Sequence, residues 1–132
     1  MSAVFADTSF YLAVLSPDDA AHEKALAVGR RQRSVVLTDF VLLELGNALS
    51  GPRWRELFSR MVIHIRANAN VRIIPASRAL LDRGLELFSR RSDKRWSLTD
   101  CTSFAVMREE GLTDALTTDH HFEQAGFKAL LR

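Results

Sequence analysis

The sequence predicts an α/β fold: a three-layer α/β/α sandwich around a mostly parallel sheet of four or five strands. Short runs rich in valine, isoleucine and leucine alternate with longer runs whose apolar residues have helical spacing. The links between these runs are short, which favours parallel strands joined by helices on both faces of the sheet. The length of 132 residues suits one domain, residues 1–132, and 47% hydrophobic residues can fill its core.

The strands are predicted where short apolar runs are bounded by turn residues. They cover residues 2–6, 34–38, 71–74, 115–118 and 127–131. The helices between them are predicted at residues 8–15, 18–31, 39–50, 53–68, 77–90, 97–110 and 119–124.

Capping signals place several of these helix ends. Asp39 is a plausible N-cap, and Gly51 with Pro52 separates two helices. Ser97 and Asp100 have the spacing of a capping box, and Gly111 ends the helix that they begin.

No apolar run approaches the roughly 20 residues that a membrane-spanning helix needs. The amino terminus lacks a basic segment, and Asp7 interrupts the first apolar run, so we expect no signal peptide. The only cysteine, Cys101, cannot form an internal disulfide. These observations predict a cytoplasmic protein without a membrane segment.

Arginine dominates the basic residues, with 15 arginines among the 18 lysines and arginines, although the net charge is only +2. The guanidinium group suits phosphate recognition. A genome rich in G and C would produce the same bias, so arginine content alone does not identify a ligand.

Four carboxylates lie at the ends of apolar runs: Asp7, Glu44, Asp100 and Asp119. In a parallel α/β sheet, the carboxyl ends of the strands meet at the edge where ligands bind. Each aspartate could instead cap a helix. Glu44 lies in an apolar segment, where a carboxylate needs a cation, a proton or an arginine partner. The four together predict a site for one or two divalent cations.

Oxygen ligands favour Mg²⁺ or Mn²⁺. Two such ions about 3.5–4 Å apart could activate a water and stabilise the leaving oxygen of a phosphodiester. Thr8, Ser9 and Thr118 flank the acids, and their hydroxyls could hold water or a phosphate oxygen, or cap a helix. Asn47 follows Glu44 by three residues and could orient it, touch the substrate or only pack.

Four stretches carry a resemblance to a known family: residues 6–9, 38–49, 97–107 and 116–127. In this order they resemble the motifs of PIN-domain nucleases, and the VapC-type toxins of bacterial toxin–antitoxin pairs most of all. The resemblance implies Mg²⁺- or Mn²⁺-dependent endoribonuclease activity, in a toxin or, alternatively, in a nuclease of the same family outside a toxin–antitoxin pair. It assigns the metal to Asp7, Glu44, Asp100 and Asp119, with Thr8 and Thr118 in support.

The same resemblance implies three macromolecular partners. They are an RNA substrate, a second copy in a homodimer, and a cognate antitoxin whose tail blocks the active site. An apolar stripe of Trp54, Leu57, Phe58 and Met61 fits core packing first, and a groove for an antitoxin helix or a dimer contact second.

A basic segment precedes Asp100. It contains Arg90, Arg91, Lys94 and Arg95, followed by Trp96. Arg91 and Arg95 are candidates for binding the RNA backbone, and Trp96 could stack on a base. The alternative is a solvated loop with Trp96 packed inward. His120 and His121 could join the metal site, although hard cations prefer oxygen, and the resemblance favours a positioning or surface pair.

Two other classes of function remain open from the sequence. A phosphatase or phosphotransfer domain also places an aspartate after its first strand, but a second aspartate is absent two residues after Asp7. A binding scaffold that keeps an acidic pocket without catalysis would bind metal and cleave nothing.

Overall fold

A computed structural model describes residues 3–132 of the chain. Within these residues, one parallel sheet contains β1 (Val4–Ala6), β2 (Val35–Thr38), β3 (Val71–Ile74), β4 (Asp114–Leu116) and β5 (Lys128–Ala129). The helices are α1 (Thr8–Leu15), α2 (His22–Arg30), α3 (Asp39–Ala48), α4 (Pro52–Ala67), α5 (Arg78–Arg90), α6 (Leu98–Glu110) and α7 (His120–Gln124). The predicted sandwich is confirmed. The first predicted strand also included Ser2, which lies outside the described residues.

The strand order β3-β2-β1-β4-β5 determines where a ligand can bind. Right-handed crossovers place the helices that follow β1 and β2 on one face and those that follow β3 and β4 on the other. The chain reverses direction across the sheet between β1 and β4. A crevice opens at such a reversal, outside the carboxyl ends of the strands.

The core lies on both sides of β1 and β4. Phe5, Phe104 and Phe122 are fully buried and pack together, with Phe104 and Phe122 edge to face at 4.9 Å. The stripe on α4 also packs largely as core, because Trp54, Phe58 and Met61 are partly buried against it. The first interpretation of the stripe is therefore confirmed for these three residues.

Two predictions at helix starts need correction: the first residue of α2 and the capping residue of α3. The second helix begins at His22 rather than at residue 18, because the preceding residues form turns in which the Asp19 carboxylate accepts from the Ala21 N–H at 2.8 Å. The α3 helix is capped by Thr38, whose hydroxyl accepts from the Val41 N–H at 3.1 Å. Asp39 is already helical, and its carboxylate accepts from the Ala76 N–H at 2.9 Å.

The α5 and α6 helices pack closely because Gly84 has no side chain. A Cβ atom at this position would lie 2.5 Å from Cγ2 of Thr102. This contact fixes α6, whose first turn carries Asp100. Among the helices of residues 3–132, none has both the length and the hydrophobicity to cross a bilayer.

Candidate active site

All four predicted carboxylates line one open pocket of about 420 Å³. Asp7 follows β1 directly, and Asp119 lies at the start of α7, beyond the neighbouring strand β4. Glu44 comes from α3 and Asp100 from the first turn of α6. The structure therefore brings together four acids that are far apart in sequence, at the point where the strand order reverses.

Asp7 is buried and is fixed through one of its two carboxylate oxygens. Oδ2 accepts from the hydroxyls of Ser9 and Thr117, both at 2.9 Å, and more distantly from the Ser9 N–H. The carboxylate thus caps α1 and faces the pocket at once, so the capping and site interpretations are compatible.

Thr117 is the residue that sequence reasoning missed. Its hydroxyl donates to Asp7 and accepts from the Asp119 N–H at 3.0 Å, so it ties two of the four acids together. The predicted neighbour Thr118 contributes its backbone N–H, which donates to the Ser9 hydroxyl at 3.0 Å. The sequence signal for this residue was a threonine immediately beyond β4, and Thr117 and Thr118 both fit that description. The structure distinguishes them, because Thr117 is the buried one.

Glu44 is only partly buried, which corrects the expectation drawn from its apolar neighbours. The neighbouring Leu43 is 63% exposed, so this segment of α3 is less enclosed than its composition indicates. Glu44 accepts from the Thr8 hydroxyl at 2.5 Å. It forms no ion pair with arginine among residues 3–132, so the arginine alternative is wrong there.

Asp100 is fixed by the predicted capping box, which the structure confirms. The Ser97 hydroxyl accepts from the Asp100 N–H, and Oδ2 of Asp100 accepts from the Ser97 N–H, both at 3.0 Å. Nδ1 of His121 lies 3.1 Å from the same Oδ2 and 3.4 Å from Oδ1 of Asp119. With its proton on Nδ1, the His121 ring donates to Asp100, and the His121 backbone N–H donates to Oδ1 of Asp119 at 2.9 Å, so this residue holds two acids in position.

The four carboxylates share one further property. In each, a single oxygen carries all the hydrogen bonds from described residues: Oδ2 of Asp7 and Asp100, Oδ1 of Asp119 and Oε1 of Glu44. The second oxygen of each has no hydrogen-bond donor within residues 3–132. None of these four oxygens is a fully buried, unsatisfied atom. The site thus keeps four carboxylate oxygens available to a ligand.

Burial and repulsion by neighbouring carboxylates raise the pKa of two of these acids, Asp7 and Asp100. Desolvation raises the pKa of Asp7 from 3.8 to about 6 against the opposing effect of its hydroxyl donors, and the charges of Asp100 and Glu44 add to the rise. Desolvation also raises the pKa of Asp100, and the charge of Asp119 contributes. Negative charges that are unfavourable together in this way are stabilised by a cation.

The donor set fits a hard divalent cation, because it consists of carboxylate oxygens next to hydroxyls. Asp119, His120 and His121 also offer ligand atoms within 4.8 Å of one another. His121 is already engaged with two carboxylates, and His120 is largely exposed. The oxygen set is therefore the better match to Mg²⁺ or Mn²⁺.

The predicted substrate residues separate in the structure. Arg95 lines the acidic pocket, whereas Arg91 does not. Asn47 is exposed beside a different surface depression, because Ala48 occupies the side of α3 that faces the acids. Trp96 is 4% exposed and its indole N–H donates to Gln124 at 3.0 Å. The prediction that Trp96 packs inward is confirmed, and the prediction that it stacks on an RNA base is wrong.

The chain belongs to the PIN domain family, whose model matches residues 4–128. It is 32% identical to the 23S rRNA-specific endonuclease VapC20 of Mycobacterium tuberculosis, over 94% of this chain and 95% of the relative. The match over nearly the whole chain confirms the resemblance found from the four motifs.

Solved structures agree with this assignment. The crystal structure of M. tuberculosis VapC20, described as a sarcin–ricin loop cleaving toxin, has a TM-score of 0.85 at 31% identity and 96% coverage of both chains. FitAB bound to an IR36 DNA fragment has a TM-score of 0.73 at 18% identity, covering 98% of this chain and 96% of that one. VapBC2 of Rickettsia felis, bound to promoter DNA, has a TM-score of 0.68 at 14% identity and 97% coverage of both chains. The last two show the shared fold.

Proposed function

We propose that this protein is a metal-dependent endoribonuclease that acts as the toxin of a toxin–antitoxin pair. The observation that carries the proposal is the convergence of four carboxylates in one pocket, each with one oxygen that has no hydrogen-bond donor among residues 3–132. Membership of the PIN domain family supports it. Such an arrangement suits hydrolysis of a phosphodiester by water, with no side chain acting as nucleophile.

Asp7, Glu44, Asp100 and Asp119 would hold Mg²⁺ or Mn²⁺. A bound divalent cation supplies Lewis acidity, which activates water and neutralises charge on the reacting phosphate. The chain's own residues orient the acids: Thr117 and Ser9 hold Asp7, Thr8 holds Glu44, and His121 with the capping box holds Asp100. Arg95 lines the same pocket and can attract the RNA backbone.

Ribosomal RNA is the substrate that we propose, and more narrowly an exposed loop of the large-subunit RNA. The support is the 32% identity to a 23S rRNA-specific endonuclease over nearly the full length of both proteins. Proteins recognise RNA sequence mostly in loops, where unpaired bases are accessible. An RNA loop can also enter an open surface pocket more easily than a base-paired RNA helix can.

The proposed partners are a cognate antitoxin and a second copy of the chain. An antitoxin tail that covers the pocket would place its own side chains against the free carboxylate oxygens. Exposed apolar residues such as Leu43, beside Glu44, offer contact area for protein partners. We place the reaction in the cytoplasm, where the single buried cysteine suits a reducing compartment.

Cleavage of a defined RNA tests the proposal. Purified protein would be incubated with a labelled hairpin that carries the sarcin–ricin loop of 23S rRNA, and with a hairpin of the same stem and a scrambled loop. We expect cleavage of the first hairpin in Mg²⁺ or Mn²⁺, and none in EDTA or with Asp7→Asn. Loss in both controls ties the reaction to the metal site.

Two results would contradict the proposal. Cleavage that survives both EDTA and Asp7→Asn would belong to a contaminant or to a different chemistry. Protein that binds Mn²⁺ but cleaves neither hairpin nor total RNA would be the binding scaffold that the sequence left open.

A further inference from the structure

A second cleft adjoins the acidic pocket. It has a volume of about 460 Å³, and its lining includes Phe88, Arg91, Lys94, Arg95 and Trp96. Arg95 lines both the cleft and the acidic pocket, so the two are neighbours that share this side chain. The volume falls within the range of about 300–1,000 Å³ that is typical of small-ligand sites.

The cations of this cleft have two different roles. Arg91 forms two hydrogen bonds with the Asp93 carboxylate, at 2.9 and 3.0 Å, and its guanidinium lies 5.0 Å from the centre of the Trp96 ring. These contacts hold the loop in shape. Lys94 and Arg95 form no ion pair among residues 3–132, and they are therefore the cations available to a phosphate.

The aromatic side chain that is available at this cleft is Phe88, not Trp96. Phe88 is 49% exposed near the carboxyl end of α5, whereas Trp96 is 4% exposed and packs edge to face on Phe104. An exposed phenylalanine leaves apolar surface in water and offers a ring face on which a nucleic-acid base can stack.

We propose that this cleft binds an unpaired nucleotide next to the scissile phosphate, with its base on Phe88 and its backbone phosphate at Lys94 and Arg95. The proposal rests on the endoribonuclease function and names the element of substrate recognised beside the metal site. The nucleotide is unpaired because a base inside a duplex has no free face for a side chain to stack on. Arg95 joins the two sites and keeps the bound strand in register with the four acids.

Fluorescence anisotropy of a labelled RNA in EDTA measures binding without cleavage. The RNAs are a hairpin with a single-stranded loop and a fully paired duplex of equal length. The variants are Phe88→Ala, Phe88→Tyr and Arg95→Glu. The matched controls are Ile63→Ala, which removes another exposed apolar side chain, and Arg60→Glu, which reverses an exposed arginine on α4 outside both sites.

We expect Phe88→Ala to weaken binding of the hairpin by roughly 5- to 30-fold and to leave duplex binding unchanged, because stacking on a loop base is lost. Phe88→Tyr retains the ring and should retain most of the affinity. Arg95→Glu should reduce the dependence of affinity on salt more than Arg60→Glu does, because only Arg95 contacts the phosphate. Ile63→Ala should bind as the wild type does.

The proposal is overturned if Phe88→Ala binds the hairpin as tightly as wild-type protein, or loses duplex and hairpin binding equally. It is also overturned if Phe88→Ala weakens only the complex with the cognate antitoxin, since the cleft would then be a protein-binding surface. Cleavage by wild-type protein in Mg²⁺ remains a separate readout. If cleavage persists while Phe88→Ala has no effect, the nuclease function stands and only the nucleotide subsite fails.

Discussion

Replacing Asp100 with asparagine is expected to reduce RNA cleavage in Mg²⁺ by roughly 10³-fold, the size of loss that follows removal of one catalytic group. The substitution removes one negative charge from the four acids and leaves the shape of the side chain unchanged. Initial rates on the loop hairpin, measured at saturating RNA, would report the change in kcat.

The capping role of Asp100 should survive this substitution. The amide oxygen of asparagine can still accept from the Ser97 N–H, as Oδ2 of Asp100 does at 3.0 Å, so the first turn of α6 keeps its cap. Asp82→Asn is the matched control, because Asp82 is an exposed aspartate on α5 outside the pocket. An Asp100→Asn protein that cleaves at the wild-type rate would exclude Asp100 from the metal site.

Replacing Asp7 with asparagine is expected to stabilise the metal-free protein at pH 8 by about 1–3 kcal/mol, since a pKa difference of 1 between the folded and unfolded states corresponds to about 1.4 kcal/mol. Burial raises the pKa of Asp7 from 3.8 to about 6. Between pH 3.8 and pH 6, Asp7 is therefore protonated in the folded chain but ionised in the unfolded chain. The contribution of this group to stability therefore falls as the pH rises through 6. Asparagine carries no charge, so the variant avoids the free-energy cost of burying an ionised carboxylate.

Thermal unfolding in EDTA at several pH values would measure this effect. The increase in stability from Asp7→Asn should be largest above pH 6 and should shrink towards pH 4, where Asp7 is protonated in the folded protein. Added Mn²⁺ should raise the unfolding temperature of wild-type protein at pH 8 more than that of the variant. A variant that is less stable than wild-type protein at pH 8 would show that the charge of Asp7 is not a source of instability.

The sequence was sufficient to predict the fold class, because strands and helices alternate without long interruptions, whereas the strand order comes from the structure. The strand at residues 71–74 and the capping box at Ser97 and Asp100 agree with the structure, since both depend on local composition. The convergence of the four acids follows from the same alternation. Parallel strands bring their carboxyl ends to one edge, whatever the distance along the chain.

Details that depend on tertiary contacts were not predictable. The threonine hydroxyl that binds Asp7 belongs to Thr117, and only the direction of the chain beyond β4 distinguishes it from Thr118. Trp96 follows a basic segment, yet its indole packs on Phe104 and donates to Gln124, both distant in sequence. The pairing of Arg91 with Asp93 leaves Arg95 as the arginine of this segment at the active-site pocket.

Binding of Mn²⁺ is the most direct test of a cation shared by the four acids. Calorimetric titration at pH 8 would compare wild-type protein with Asp7→Asn, Asp100→Asn and the surface control Asp82→Asn. We expect both pocket variants to lose at least about tenfold in affinity, as ligand and supporting substitutions at metal sites do, while the control binds as the wild type does. Equal affinity in all four proteins would contradict a shared metal site at these carboxylates.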